Sequence, residues 1–239
     1  MNLIVDVGNT RAKVALFERG ALRDKLFFAT HAALREYLDD KTFDNAIVSS
    51  VSVPAEEILM WCNVKGKKMA LRYTLPLPIK ILYATPATLG ADRIAAACGT
   101  LDIFPDRNCL VIDGGTCITY EFVDAMRQYH GGAISPGIKM RFEALHTFTA
   151  RLPLVEQKEK AELIGDSTET GMQSGVINGV LAEVEGIIER YREKHPELAV
   201  IICGGDTSFF ENNLKQPIFA SPDLVLSGLN RILQHNVTL

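Results

Sequence analysis

Short apolar runs alternate with longer helical patterns along the chain, and one arrangement occurs twice. Leu3-Ile4-Val5 ends in Asp6, passes through Val7-Gly8-Asn9-Thr10, and resumes as Lys13-Val14-Ala15-Leu16-Phe17. Leu110-Val111-Ile112 ends in Asp113, passes through Gly114-Gly115-Thr116, and resumes as Cys117-Ile118-Thr119-Tyr120-Glu121-Phe122. Each copy reads as a strand, a tight Gly/Thr turn and a second strand. Asp6 and Gly8 stand at the same offset as Asp113 and Gly115, with one residue lost before the second threonine. Two copies that divide the chain nearly in half predict a duplicated domain, since a solenoid needs more repeats than this.

The remaining segments fit α/β halves. Residues 45–49 and 198–203 are near-continuous apolar runs and predict buried strands. Residues 54–62 predict a helix, with Pro54 in the first turn and Glu56 and Glu57 near its positive end. A second helix is predicted over 89–101 from the spacing of Ile94, Ala95, Ala97 and Cys98. The strongest helical pattern spans 168–194, where Met172, Val176, Val180, Val184, Ile187, Ile188 and Tyr191 recur every three to four positions. His195-Pro196 stops it. Residues 222–235 predict a closing helix, whereas 74–78 and the charged 156–162 read as loops.

Composition narrows the classes. A chain of 239 residues that is 47% hydrophobic and 23% charged can bury an ordinary globular core without staples. Its net charge is −4, and the one dense basic cluster, Lys65-Gly66-Lys67-Lys68, reads as a solvated turn. A nucleic-acid partner is therefore not expected, because such affinity comes mainly from clustered Lys and Arg neutralising phosphates. The five cysteines are odd in number and show no C-x-x-C spacing, and the histidines are scattered, which argues against zinc and disulfides. The amino terminus lacks a signal peptide's basic segment, and no run approaches the roughly 18 apolar residues of a membrane span. A cytoplasmic protein with no membrane association is the expectation.

The two turns carry the candidate chemistry. Gly8 permits a tight turn in which backbone N–H groups converge as an anion nest. Asn9 and Thr10 add donors, and Lys13 adds charge from the next strand. Asp6 suits a magnesium ion held through water, because Mg²⁺ keeps several waters and takes few carboxylates. Gly114 and Gly115 let backbone approach a ligand, and Thr116 offers a hydroxyl. A third glycine site, Cys203-Gly204-Gly205-Asp206, falls where a strand hands over to a helix, with Asp206 placed as an N-cap. Neither G-x-x-x-x-G-K-[ST] nor G-x-G-x-x-G is present, so a nucleotide would bind by another arrangement.

Two such hairpins and a late Gly-Gly turn resemble the superfamily of actin-like ATPases and sugar kinases. An ordered set sharpens the match: Gly90-Ala91-Asp92-Arg93, Asp113-Gly114-Gly115-Thr116, Gly131-Gly132-Ala133-Ile134-Ser135-Pro136-Gly137 followed by Leu152-Pro153, Thr168 with Gln173-Ser174-Gly175, and Cys203-Gly204-Gly205-Asp206. From residue 3 to about 230 the chain resembles the type III pantothenate kinases. That resemblance implies an α/β fold of duplicated ribonuclease-H-like (actin-like ATPase) domains, 1–108 and 109–239, with ATP in the interdomain cleft. It implies that Asp6, Val7, Gly8, Asn9, Thr10, Arg11, Ala12 and Lys13 bind the phosphates of ATP supplied with Mg²⁺, and that Thr116 touches ATP. Gly90, Ala91, Asp92 and Arg93 would contact pantothenate, with Asp92 the catalytic proton acceptor, and Tyr83 and Thr168 would line the same site. Asp113 would ligate a monovalent cation, K⁺ or NH₄⁺, although the residues alone fit magnesium equally well. Arg93 would keep Asp92 ionised or grip the substrate's carboxylate. A homodimer is also implied. Gly171, Gly175 and Gly179, four apart, form a smooth stripe for helix packing, which in this family would include the partner subunit.

Two rivals share the fold. A kinase of another alcohol or a sugar would usually be longer, and some carry a Cys/His motif lacking here. A non-catalytic regulator could lose Asp92 or Asp113, and both are present.

Overall fold

A computed structural model describes residues 1–8 and 11–239. Asn9 and Thr10, two of the expected phosphate contacts, lie outside the described residues. The chain divides into two compact units.

The first unit comprises Met1–Asp106, Met126–His130 and Asp223–Leu239. It holds β1 (Asn2–Val7), β2 (Ala12–Glu18), β3 (Ala21–Phe28), α1 (His31–Asp39), β4 (Thr42–Phe43), β5 (Asn45–Ser50), α2 (Ala55–Met60), β6 (Asn63–Val64), β7 (Lys68–Ala70), β8 (Lys80–Ile81) and α3 (Ala91–Ile103). Its sheet runs β3-β2-β1-β5-β7, antiparallel through β1–β3 and parallel from β1 to β7. β1 is central and flanked on both sides, so Leu3, Ile4, Val5 and Val7 are all buried and the strand reads as a continuous apolar run. The β2–β3 hairpin turns on Arg19-Gly20, both with positive φ (51° and 83°), the type I′ geometry that matches strand twist. β3 is an edge strand whose first four residues are exposed, which is why no apolar run announces it. A 3-10 turn, Pro86–Thr88, precedes α3, and Gly90 caps it, so the helix starts later than the predicted residue 89.

The second unit comprises Arg107–Ala125 and Gly131–Pro222. It is built from β9 (Cys109–Gly114), β10 (Cys117–Val123), most of β11 (Gln128–Pro136), α4 (Ile138–Thr147), α5 (Thr168–Lys194), β12 (Ala199–Gly204), α6 (Thr207–Asn213) and β13 (Phe219–Ala220). Its strands lie in the order β13-β12-β9-β10-β11. The first residues of β11, Gln128 and Tyr129, belong to the first unit and pair there in parallel with β8. Numbered within itself and read from β3 and from β11, each of these five-strand runs goes third, second, first, fourth, fifth. α5 occupies the predicted residues 168–194, opened by a capping box between Ser167 and Thr170. It buries Val176, Val180, Val184 and Ile188 in a core shared with Tyr120 of β10 and Phe142 of α4. Each such side chain contributes about 1.5–3 kcal/mol of burial.

The last helix, α7 (Leu224–Val237), belongs to the first unit. It crosses α3 at backbone contact: a Cβ on Gly228 would lie 1.8 Å from Ala95 O, and one on Gly99 would lie 2.6 Å from Leu224 O. This contact seats α3, whose first turn bears Asp92. Among the described residues no helix is long and apolar enough to cross a membrane, and all five cysteines are free thiols.

Candidate active site

In the first unit the site is built on the ends of β1, β2 and β5. Strand register sets Asp6 between Lys13 on β2 and Ser49 on β5. Asp6 is 8% exposed, and Lys13 Nζ stands 4.0 Å from its carboxylate. Burial pushes the Asp6 carboxyl from 3.8 up to about 6; Lys13 opposes that rise and the charge of Asp92 adds to it. Buried Ser49 Oγ lies near enough to favour the ionised form, yet it completes no hydrogen bond at normal geometry among the described residues. Two carboxylates therefore share a space with one lysine. An arriving cation would relieve that imbalance.

The intervening turn differs from the expected nest at one point. Gly8 N–H donates to Arg11 O at 3.2 Å, so this amide closes its own turn rather than facing a ligand. Val7 and Ala12, paired across the hairpin, bury their side chains in the core, which leaves only their backbone to meet a phosphate. Arg11 is exposed, and its guanidinium sits 4.5 Å above the ring of Phe27 on β3, which Lys25 also approaches at 5.6 Å. Lys25 is held by Asp223 at 2.7 and 2.9 Å. Phe27 was not visible as a site residue in the sequence, because an exposed aromatic on an edge strand carries no motif.

Asp92 sits in the first turn of α3, after Gly90 and Ala91, and its Oδ1 accepts the Arg93 N–H at 2.8 Å. Arg93 turns inward and is buried, its guanidinium 5.8 Å over the ring of half-buried Tyr83, which in turn lies 6.2 Å from Tyr129. Tyr83 and Gly90–Arg93 are thus gathered in one place, beside the Asp6 pocket that feels the charge of Asp92.

In the second unit Asp113, half-buried, is the penultimate residue of β9, whose last residue opens the Gly114-Gly115-Thr116 turn. Gly115 N–H donates to Cys117 O at 2.9 Å, again closing the turn, while Thr116 is exposed. The Gly204-Gly205 turn packs directly on it. Gly204 has φ +88°, and a Cβ there would meet Asp113 Oδ1 at 2.2 Å and Gly114 O at 2.3 Å. Asp206 N–H donates to Gly114 O at 3.0 Å. Asp206 takes the N-cap position of α6 as expected, but its side chain makes no capping hydrogen bond; burial raises its carboxyl instead. Thr168 is the first residue of α5 and is exposed. Gly171, Gly175 and Gly179 meet nothing within 4 Å of where a Cβ would stand, so ordinary packing within the described residues does not explain the stripe. Among the described residues no group of three or more His, Cys, Asp or Glu could hold a metal ion.

The model of the type III pantothenate kinase family matches residues 2–190. A type III pantothenate kinase of Bacteroides fragilis is 46% identical over 239 residues, covering 99% of this chain and 98% of that protein. Among solved structures, a conserved protein from Campylobacter jejuni assigned to the Baf family of transcriptional activators superposes with a TM-score of 0.67 at 20% identity, covering 99% of this chain and all of that one. A protein from Sinorhizobium meliloti assigned as a 2-dehydro-3-deoxygalactonokinase gives 0.61 at 12% identity, with both chains fully covered. At those identities the superpositions speak for the fold alone, a mixed α/β fold. With its sequence matched from end to end, this chain belongs to the type III pantothenate kinase family.

Proposed function

We propose that this chain transfers the terminal phosphoryl group of ATP to the primary hydroxyl of pantothenate, giving 4′-phosphopantothenate and ADP, the first step of coenzyme A synthesis. The observation that carries this reading is the meeting of Asp6, Lys13 and Asp92 in the first unit of a chain of this family. Phosphoryl transfer asks chiefly for positioning and charge neutralisation, plus a carboxylate to take the proton of the attacking hydroxyl. Asp92 is that acceptor. It stands in the first turn of α3, and Gly90 and Ala91 leave backbone beside it for the substrate. Arg93, stacked on Tyr83, faces the acidic end of pantothenate, because a planar guanidinium suits a carboxylate. Lys13 and Arg11 draw the phosphates of ATP toward the first hairpin, where Gly8 leaves room for their approach and Val7 and Ala12 contribute backbone.

The donor sets fit the expected cations. Asp6 is a buried carboxylate raised to about 6 and short of positive charge, which suits the Mg²⁺ that accompanies ATP. Bound there, Mg²⁺ supplies charge neutralisation for the phosphates. Asp113, a half-buried carboxylate at the second turn, offers the oxygen donor that K⁺ or NH₄⁺ takes. Thr116 meets ATP from the second hairpin, and Thr168 meets pantothenate.

The recurring strand order supports a reading of the chain as two ribonuclease-H-like domains, 1–108 and 109–239, with the closing helix α7 returned to the first unit. A homodimer fits the second unit's surface, where Phe148, Leu163 and Ile164 are at least 80% exposed and the α5 glycine stripe is open. The test is ADP release with and without pantothenate and potassium, on wild type and Asp92→Asn. Pantothenate-dependent release is expected, with a loss of about 10²–10⁴-fold in Asp92→Asn. Release without pantothenate, or an unimpaired variant, would refute the mechanism.

A further inference from the structure

A ring of contacts in the second unit begins and ends at the turn that carries Thr116. Tyr120 lies on β10, the strand that leaves this turn, and is fully buried. Its hydroxyl donates to Glu183 Oε1 of α5 at 3.1 Å. Arg141 of α4 donates to Glu183 Oε2 at 2.6 Å, to Ser135 Oγ at 2.8 Å and, through Nε, to Pro136 O at 2.9 Å. The next residue is Gly137, whose N–H donates to Thr116 O at 3.1 Å. A Cβ on Gly137 would stand 2.1 Å from Gly115 O and 2.5 Å from Thr116 O, so the Pro136-Gly137 corner rests directly on the turn. From turn to β10, to α5, to α4, to the end of β11 and back, every link is a named hydrogen bond or a backbone contact.

The corner has little freedom in either direction. Moving it inward drives backbone into the Gly115 and Thr116 carbonyls. Moving it outward breaks the Gly137–Thr116 bond and strips Arg141 of two acceptors. Burial pulls the Glu183 carboxyl up, but bonds from Arg141, Ser135 and Tyr120 outweigh it and hold the group below its ordinary value. The pair is therefore charged at neutral pH, and the rigid guanidinium fork engages three acceptors at once, which an ammonium cannot reproduce.

We propose that Arg141, oriented by Glu183, is a positioning residue that fixes the Gly115–Thr116 turn against the nucleotide. This rests on the reading above that Thr116 meets ATP. Neither side chain belongs to the glycine motifs, and neither needs to touch a substrate to act.

The experiment compares Arg141→Lys, Glu183→Gln and Thr116→Ala with wild type. Amide hydrogen exchange over residues 113–118 and at Gly137 reports the turn itself, without nucleotide. Calorimetry with a non-hydrolysable ATP analogue and steady-state kinetics report its consequence. Glu183→Gln keeps the side-chain volume and serves as the mild variant should Arg141→Lys fold poorly. Exchange at Gly115 and Gly137 is expected to rise about tenfold in Arg141→Lys and about threefold in Glu183→Gln. Analogue Kd and KM for ATP should rise by similar factors, with kcat and KM for pantothenate within about twofold, since only nucleotide placement is disturbed. Unchanged exchange in both variants overturns the clamp. Faster exchange with unaltered nucleotide affinity overturns its positioning role. If Thr116→Ala is equally silent toward the analogue, the assignment of the turn to ATP falls as well, whereas a responsive Thr116→Ala confines the failure to Arg141.

Discussion

Replacing Asp6 by Asn should stabilise the unliganded protein while disabling it. The Asp6 carboxyl is raised from 3.8 to about 6, foremost by burial, so in the empty site its charge is a strain on the fold. A shift of about two units corresponds to about 3 kcal/mol once the group is fully ionised. That rise is already net of the opposing attraction of Lys13, a half-buried partner at 4.0 Å. The gain on replacing the charge by Asn is therefore about 3 kcal/mol, or about 6–12 °C in Tm for a chain of this size. Because the native carboxyl binds its proton more tightly than the unfolded one, wild-type stability falls as pH rises from about 4 through about 6. The advantage of Asp6→Asn should accordingly be complete at pH 8 and shrink toward pH 4.5. Differential scanning calorimetry without ATP at the two pH values measures it, alongside the ADP-release assay. A variant no more stable than wild type at pH 8, or equally advantaged at both pH values, would show that Asp6 is not the strained charge described here.

Three further outcomes follow from the same geometry. The kcat/KM for ATP should decline below about pH 6, approaching tenfold per unit, as free-enzyme Asp6 takes up its proton; a rate profile flat to pH 5 contradicts this. Phe27→Leu removes the ring beneath Arg11 and should raise KM for ATP about two- to fivefold, leaving KM for pantothenate unmoved, as expected for an exposed cation–π contact. Gly228→Ala forces a methyl to within 1.8 Å of Ala95 O and should cost at least about 3 kcal/mol by denaturant titration, unseating α3 and lowering activity with it.

How much of this was legible depends on what each residue faces. β1 and β9 are central strands buried on both faces, so Leu3-Ile4-Val5 and Leu110-Val111-Ile112 announce themselves, and α5 keeps an apolar period long enough to fix both ends. β3 escaped because its early residues are exposed and its turn, Arg19-Gly20, lacks the usual Asn-Gly or Asp-Gly signal. α4 buries only Ile138 and Phe142, too sparse a stripe to declare a helix, and it follows a glycine-rich strand, β11, that reads as a loop. Asp6, Asp92 and Asp113 stood out by motif. The raised Asp6 carboxyl did not, because it arises from burial between β2 and β5 and from the charge of a residue on α3. Arg141 and Glu183 were equally hidden, since nothing in their local sequence tells that they meet. The Gly8 amide, expected to converge on an anion, instead donates to Arg11 O, a contact that the motif itself does not specify.

The most direct test of the central claim is phosphorus NMR of the complete reaction with ATP, Mg²⁺, K⁺ and pantothenate. The account predicts a phosphomonoester resonance on the primary carbon of pantothenate, growing in step with ADP and absent in Asp92→Asn. ADP accompanied by free phosphate, with pantothenate unaltered, would contradict it.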